Sequence, residues 1–204
     1  SWRKMSRLQK GYYSALGESV DFTGVYEWLY SYETSLKDDK EFEGTREAWY
    51  NAIKTAIPYI LEIEYNRKFD EFEVLVDYRD GQPVERKLYN NLNDGMKAMF
   101  NVVAEIAYRC IMLNGKLGRN AVELSSGVVL IDELDMCLHP KWQRHIIDDL
   151  KNAFPNIQFV ATTHSPFIVQ SLKSDELRNL DEVKGLDEDP NRYSIEEVLS
   201  NEMG

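Results

Sequence analysis

Apolar and polar positions follow two different periods along this chain, and the points where the period changes divide it. Phe22, Val25, Leu29, Tyr32 and Leu36 recur three or four apart, as do Trp49, Ile53, Ala56 and Ile57, so residues 1–57 read as helical with two core-facing stripes. Lys37-Asp38-Asp39-Lys40 is a charged break between the stripes, and Pro58 ends the second. From Tyr59 the period becomes two: Tyr59, Leu61, Ile63 and Tyr65 alternate with Ile60, Glu62 and Glu64, then Phe72, Val74 and Val76 with Glu73 and Asp77. Those segments are predicted strands. Asp80-Gly81 is a turn signal that pairs Phe72 to Tyr78 with Val84 to Leu88 as a hairpin.

The helical period returns after Asn93-Asp94-Gly95, with Met96, Met99, Phe100, Val103, Ala107, Cys110 and Ile111 on one face and Asn114-Gly115 as the stop. An apolar strand (Val128 to Ile131), a helix opened by Pro140 with Trp142, Ile146 and Leu150 inward, and a second apolar strand (Ile157 to Ala161) follow. Continuous apolar strands flanking a helix predict a right-handed parallel unit buried on both faces. The expected fold class is therefore α/β: parallel strands with crossover helices, a helical segment over 1–57, and a short antiparallel hairpin. The remainder, 58–204, ends in an acidic tail whose one helical pattern is Ile195, Val198 and Leu199.

Composition narrows the functional classes. With 204 residues, 43% of them hydrophobic, the chain can bury a core of its own. Its apolar runs are far shorter than the roughly 20 residues of a membrane span, so no membrane association is expected. The start, Ser1-Trp2-Arg3-Lys4-Met5, has neither an initiator Met nor an apolar leader and reads as a cut inside a longer protein. Cys110 and Cys137 fall in apolar segments without a spacing motif, which fits a reducing cytoplasm. A net charge of −11 argues against a broad phosphate-neutralising surface, and the basic cluster Arg3, Lys4, Arg7 and Lys10 reads as a solvated helix face.

Chemistry concentrates at two predicted strand ends. Val128-Val129-Leu130-Ile131-Asp132-Glu133 puts two carboxylates at the C-terminal end of a parallel strand, where open α/β sheets bind ligands. An Asp there can hold Mg²⁺ and a neighbouring Glu can polarise water for attack on a γ-phosphate. Phe159-Val160-Ala161-Thr162-Thr163-His164-Ser165-Pro166 ends the next strand in a histidine, and Ser165-Pro166 supplies the N-cap and N1 chemistry of a new helix. The same residues serve equally as strand-end stabilisers in a non-enzymatic interaction module. No zinc-protease spacing is present at His139 and His145, and Asp132, Glu133 and Asp135 lack the earlier strand-end Glu of a topoisomerase-primase type nuclease.

Together, Leu92-Asn93-Asp94-Gly95, Asp132-Glu133, Leu138-His139-Pro140 and Thr162-Thr163-His164-Ser165-Pro166 resemble the soluble, non-transporter branch of the ATP-binding-cassette-type (AAA family) ATPases. That branch includes repair and chromosome ATPases and ATPase subunits of anti-phage systems such as Septu and certain retrons. The resemblance implies the C-terminal part of a P-loop NTPase domain, with ATP and Mg²⁺ as ligands. It implies Asp132 as the Walker B aspartate on Mg²⁺, Glu133 as general base, and His164 as the switch histidine on the γ-phosphate. Leu138-His139 would be the D-loop that meets a partner subunit. Leu92, Asn93, Asp94 and Gly95 would be the signature motif facing the nucleotide of a second protomer, hence a homodimer. Asn93 stands where the family keeps Ser, and Asp94 where it often keeps Gly. Leu124-Ser125-Ser126-Gly127 has signature-like letters but runs straight into the Walker B strand. No Gly-x-x-x-x-Gly-Lys-Ser/Thr run occurs in the 204 residues, so the P-loop lobe is expected to lie elsewhere and the chain alone to be inactive. By analogy the whole protein would work with a nuclease or DNA partner.

Overall fold

In the computed structural model the described residues are 6, 11, 23–34, 44–66, 68–69, 71–178, 180 and 190–202. Phe22, Leu36, the break at 37–40 and the basic residues Arg3, Lys4, Arg7 and Lys10 lie outside them. Helix α1 (Thr23–Thr34) buries Val25, Trp28, Leu29 and Tyr32, and α2 (Thr45–Ala56) buries Trp49, Ile53 and Ala56, as the spacing predicts. Ile57 caps α2, and Pro58 cannot continue the helical ladder.

Strands β1 (Ile60–Asn66), β2 (Glu71–Val76) and β3 (Glu85–Leu88) form an antiparallel sheet in that order, so the expected hairpin gains a third strand. The alternation expected in β1 does not hold throughout. The register shifts between Ile60, opposite Val76, and Glu62, opposite Leu75; Leu61 is the extra residue and faces solvent while Ile60 and Ile63 are buried.

Helix α3 (Asp94–Asn114) begins where the Asn93 side chain accepts the Met96 amide at 2.8 Å. Its expected stop at Gly115 is instead a continuation: Gly115 is right-handed and buried, and a 3-10 stretch (Gly115–Asn120) turns at Gly118, φ 54°, before α4 (Ala121–Leu124). One core unites these elements. Trp49 stacks on Phe72 at 5.4 Å, Phe72 meets Phe100 at 5.4 Å, and the buried Trp49 indole donates to the Ala104 carbonyl at 2.9 Å.

Strand β4 (Gly127–Ile131) pairs in parallel with β5 (Ile157–Ala161), Gly127 opposite Ile157 through Ile131 opposite Ala161. The crossover is two helices rather than one. α5 (Pro140–Gln143) closes at Arg144, and α6 (Ile146–Ala153) restarts after His145, yet Trp142, Ile146 and Leu150 are all buried. α7 (Pro166–Ser171) follows β5, and α8 (Ile195–Glu202) contains the expected tail pattern, with Val198 buried.

The expectation of two buried sheet faces is corrected. Val129, Ile131, Ile157 and Phe159 pack on the core, but Val128, Leu130 and Val160 are 62%, 71% and 51% exposed. Side chains on a strand alternate between faces, and among the described residues only one face of this two-stranded sheet has a packing layer.

Candidate functional site

The tips of β4 and β5 are stitched together by Thr162. Its amide donates to the Ile131 carbonyl at 3.0 Å and its carbonyl accepts the Leu134 amide at 2.9 Å. Its hydroxyl accepts the Glu133 amide at 2.8 Å and donates to Asp132 Oδ1 at 2.5 Å. Glu133 sits at φ 51°, a left-handed conformation that costs a non-glycine residue on the order of 1 kcal/mol or more and persists where surrounding bonds over-determine it. Those bonds are the ones Thr162 makes. Asp132, Glu133 and His164 are all exposed, the first two directly after β4 and the third in the loop after β5.

A second layer of bonds lies beneath them. Asp135 Oδ1 accepts both the Thr163 hydroxyl at 2.5 Å and the His164 amide at 3.0 Å. Buried Gln143 donates to the Leu138 carbonyl at 2.9 Å and the Asp135 carbonyl at 3.2 Å, and accepts the Ser165 hydroxyl at 2.7 Å. Ser165 in turn caps α7 by accepting the Phe167 and Ile168 amides. Thr162, Asp135 and Gln143 were not singled out by sequence reasoning for this role; their partners lie across a crossover, where no local pattern points to them.

Leu138 is buried and His139 is exposed, with its Nδ1 accepting the Lys141 amide at 3.1 Å to cap α5. At the start of α3, Leu92 and Gly95 are buried while Asn93 and Asp94 are exposed. An added Cβ on Gly95 would lie 2.3 Å from the Cys137 carbonyl oxygen, so the α3 N-terminus rests directly on the loop after β4. The signature-like Leu124–Gly127 run is placed differently: it joins α4 to β4, and Ser125 is buried with its hydroxyl donating to the Ala121 carbonyl at 2.5 Å.

Among the described residues, no three His, Cys, Asp or Glu side chains form a group that could hold a metal ion by themselves. Asp132 offers a single exposed carboxylate at a strand end. That donor set fits Mg²⁺, which keeps most of its shell as water and phosphate and takes one or two protein carboxylates. Among the same residues no helix is long and apolar enough to cross a membrane.

The two cysteines, both expected in apolar segments, differ in exposure. Cys110 is buried, and burial pushes its thiol up to about 11, whereas Cys137 is exposed on the loop after β4, at φ 64°. Because the thiolate is the nucleophile, iodoacetamide at pH 8 is expected to modify Cys137 alone in the folded protein, with Cys110 reacting only after denaturation. Peptide mass mapping that finds native Cys110 modified as fast as Cys137 contradicts this.

A family model matches the segment that holds this geometry. Residues 88–170 match the family described as "AAA domain, putative AbiEii toxin, Type IV TA system". By this segment the chain is similar to the AAA-type ATPases. The retron Vc95 probable ATPase of Vibrio cholerae serotype O1 biovar El Tor is 43% identical over 93 residues, 46% of this chain and 18% of that protein. The Septu protein PtuA of Bacillus thuringiensis is 32% identical over 151 residues, 67% of this chain and 36% of that protein. The chain thus spans 18% and 36% of the length of these two relatives. A crystal structure of the SmcHead bound to the C-winged helix domain of ScpA superimposes with a TM-score of 0.41 at 15% identity, covering 84% of this chain and 47% of that one. The resemblance carried by the sequence motifs, to Septu and retron ATPases, is the one these relatives bear out.

Proposed function

We propose that this chain is the part of a longer ATPase that completes a nucleotide site at the joined tips of β4 and β5. The observation that carries this reading is Thr162, whose bonds hold Asp132 and Glu133 against the strand that leads to His164. Phosphate groups reach the site on a P-loop contributed by sequence outside these residues. The open face of Val128, Leu130 and Val160 suits the lobe that carries it, because apolar parallel strands need a layer on each side.

In this reading Glu133 takes a proton from water as the water oxygen bonds to the γ-phosphorus and the bond to the β–γ bridging oxygen breaks, releasing ADP. His164 donates a hydrogen bond to the γ-phosphate. Asp132 holds Mg²⁺, which neutralises charge on the phosphates when bound. Asn93 and Asp94, exposed at the start of the 21-residue α3, face a nucleotide held by a second protomer, and exposed His139 lies toward the same partner. Leu92, Gly95 and Leu138 are buried and support those positions from behind. The assembly is a homodimer with two shared sites, in the cytoplasm, and a nuclease or DNA partner receives the motion.

A second reading, a non-enzymatic interaction module, draws on one observation. The Asp132 and Asp135 carboxylates are already acceptors for threonine hydroxyls and so serve as strand-end staples. Isothermal titration separates the sites' owners. The longer protein is expected to bind Mg-ATP in the range of typical enzyme KM values, about 1 μM to 1 mM, and the 204-residue chain not to. Tight binding by the 204-residue chain overturns the two-part site; no binding by the longer protein overturns the nucleotide reading.

A further inference from the structure

We propose that Asp135 is a positioning residue for His164, and that through Gln143 it makes the loop 132–139 and the loop 162–165 a single mechanical unit. The inference rests on the ATPase reading for its consequence, though not for its geometry. Two donors from the β5 loop, the Thr163 hydroxyl and the His164 amide, converge on one oxygen of a half-buried carboxylate that belongs to the β4 loop. The backbone of His164 is therefore tied to the β4 loop through Asp135 as well as to its own strand.

Gln143 makes the connection continuous. Its amide nitrogen holds the carbonyls of Asp135 and Leu138, and its oxygen holds Ser165, the residue after His164. Gln143 and Ser165 are buried, so breaking any of these bonds leaves a polar atom without water. A displacement at Leu138-His139 consequently carries Asp135, and with it His164, instead of being absorbed by slack in either loop. The chemistry required of residue 135 is acceptance of two hydrogen bonds. It is not negative charge, which separates this role from metal ligation.

The test uses the longer protein and two readouts: hydrogen exchange of the His164 amide, and steady-state ATP hydrolysis. D135A removes the acceptor and D135N keeps it. D135A is expected to raise His164 amide exchange at least about tenfold and to lower kcat by about 10²-fold with KM for ATP little changed, because misplacing a group by an ångström costs that much. D135N is expected to match wild type in both. Where D135A does not fold, T163S and T163V take its place: the hydroxyl donates to Asp135 and also accepts the Ser165 amide at 3.0 Å, so T163S, which keeps both bonds, is expected to match wild type, and T163V, which loses both, to shift both readouts in the direction of D135A by a smaller factor.

His164 exchange unchanged in a folded D135A or T163V protein overturns the inference. So does a kcat equal to wild type despite faster exchange, and so does a D135N protein as impaired as D135A, since charge would then be what matters. A wild-type protein without ATPase activity sinks the hydrolytic reading alone, because the exchange pattern is measured without turnover.

Discussion

Glu133→Gln in the longer protein is expected to lower kcat for ATP hydrolysis by about 10²- to 10⁴-fold, the contribution typical of a general base, while Mg-ATP still binds. The substitution is suited to this position because the contacts that place Glu133 are made by its backbone. Its amide, not its carboxylate, is bonded to Thr162 Oγ1, so the φ 51° conformation survives the change. The side chain is exposed at the strand tip and has no packing role to lose. Loss of turnover with retained binding therefore reports on proton acceptance rather than on folding. Phosphate release measured beside nucleotide titration decides it: hydrolysis at the wild-type rate favours the interaction-module reading, in which the carboxylate only decorates a strand end.

Gly95→Ala carries the largest expected effect on stability. The new Cβ would meet the Cys137 carbonyl oxygen at 2.3 Å and its carbon at 3.3 Å. These are backbone atoms, which cannot rotate away as a side chain would, so either the start of α3 or the loop after β4 must shift. Overpacking of this kind costs about 1–3 kcal/mol, and in a chain of this size each kcal/mol lowers Tm by about 2–4 °C. Gly127→Ala is the matched control, since its Cβ meets only Ile157 Cδ1 at 3.7 Å. Thermal unfolding that shows equal losses for the two variants contradicts the close approach. The same contact ties the exposed Asn93 and Asp94 to the loop bearing His139, so the Gly95 variant also tests whether the two surfaces move together.

How far this architecture can be read from sequence depends on how local its causes are. The start of α3 was legible because Asn93 caps the helix with its own side chain three residues away. β4 and β5 were legible because a short, largely apolar run leading into Asp132-Glu133 or Thr162-Thr163-His164 fits few other structures. The bulge at Leu61 was not, since an apolar residue there satisfies either register and only the pairing with β2 decides. Nor was the break at Arg144-His145, because Trp142, Ile146 and Leu150 keep a helical spacing straight across it. The exposed face of β4 and β5 is invisible for a different reason. Apolar residues announce that a surface is to be covered, not which part of a protein covers it.

The site shows the same division. Asp132, Glu133 and His164 lie at neighbouring tips, as their placement at the ends of successive parallel strands implies. The bonds that fix them there, from Thr162, Asp135 and Gln143, join residues across the crossover and leave no periodic or motif trace.

The most direct measurement is a structure of the longer protein with Mg²⁺ and a non-hydrolysable ATP analogue. The γ-phosphate is expected at the β4–β5 tips, with the His164 imidazole within about 3 Å of a γ-oxygen and the Glu133 carboxylate within hydrogen-bond reach of the water behind the phosphorus. Nucleotide bound at another edge of the fold, with Asp132, Glu133 and His164 all away from the triphosphate, contradicts it.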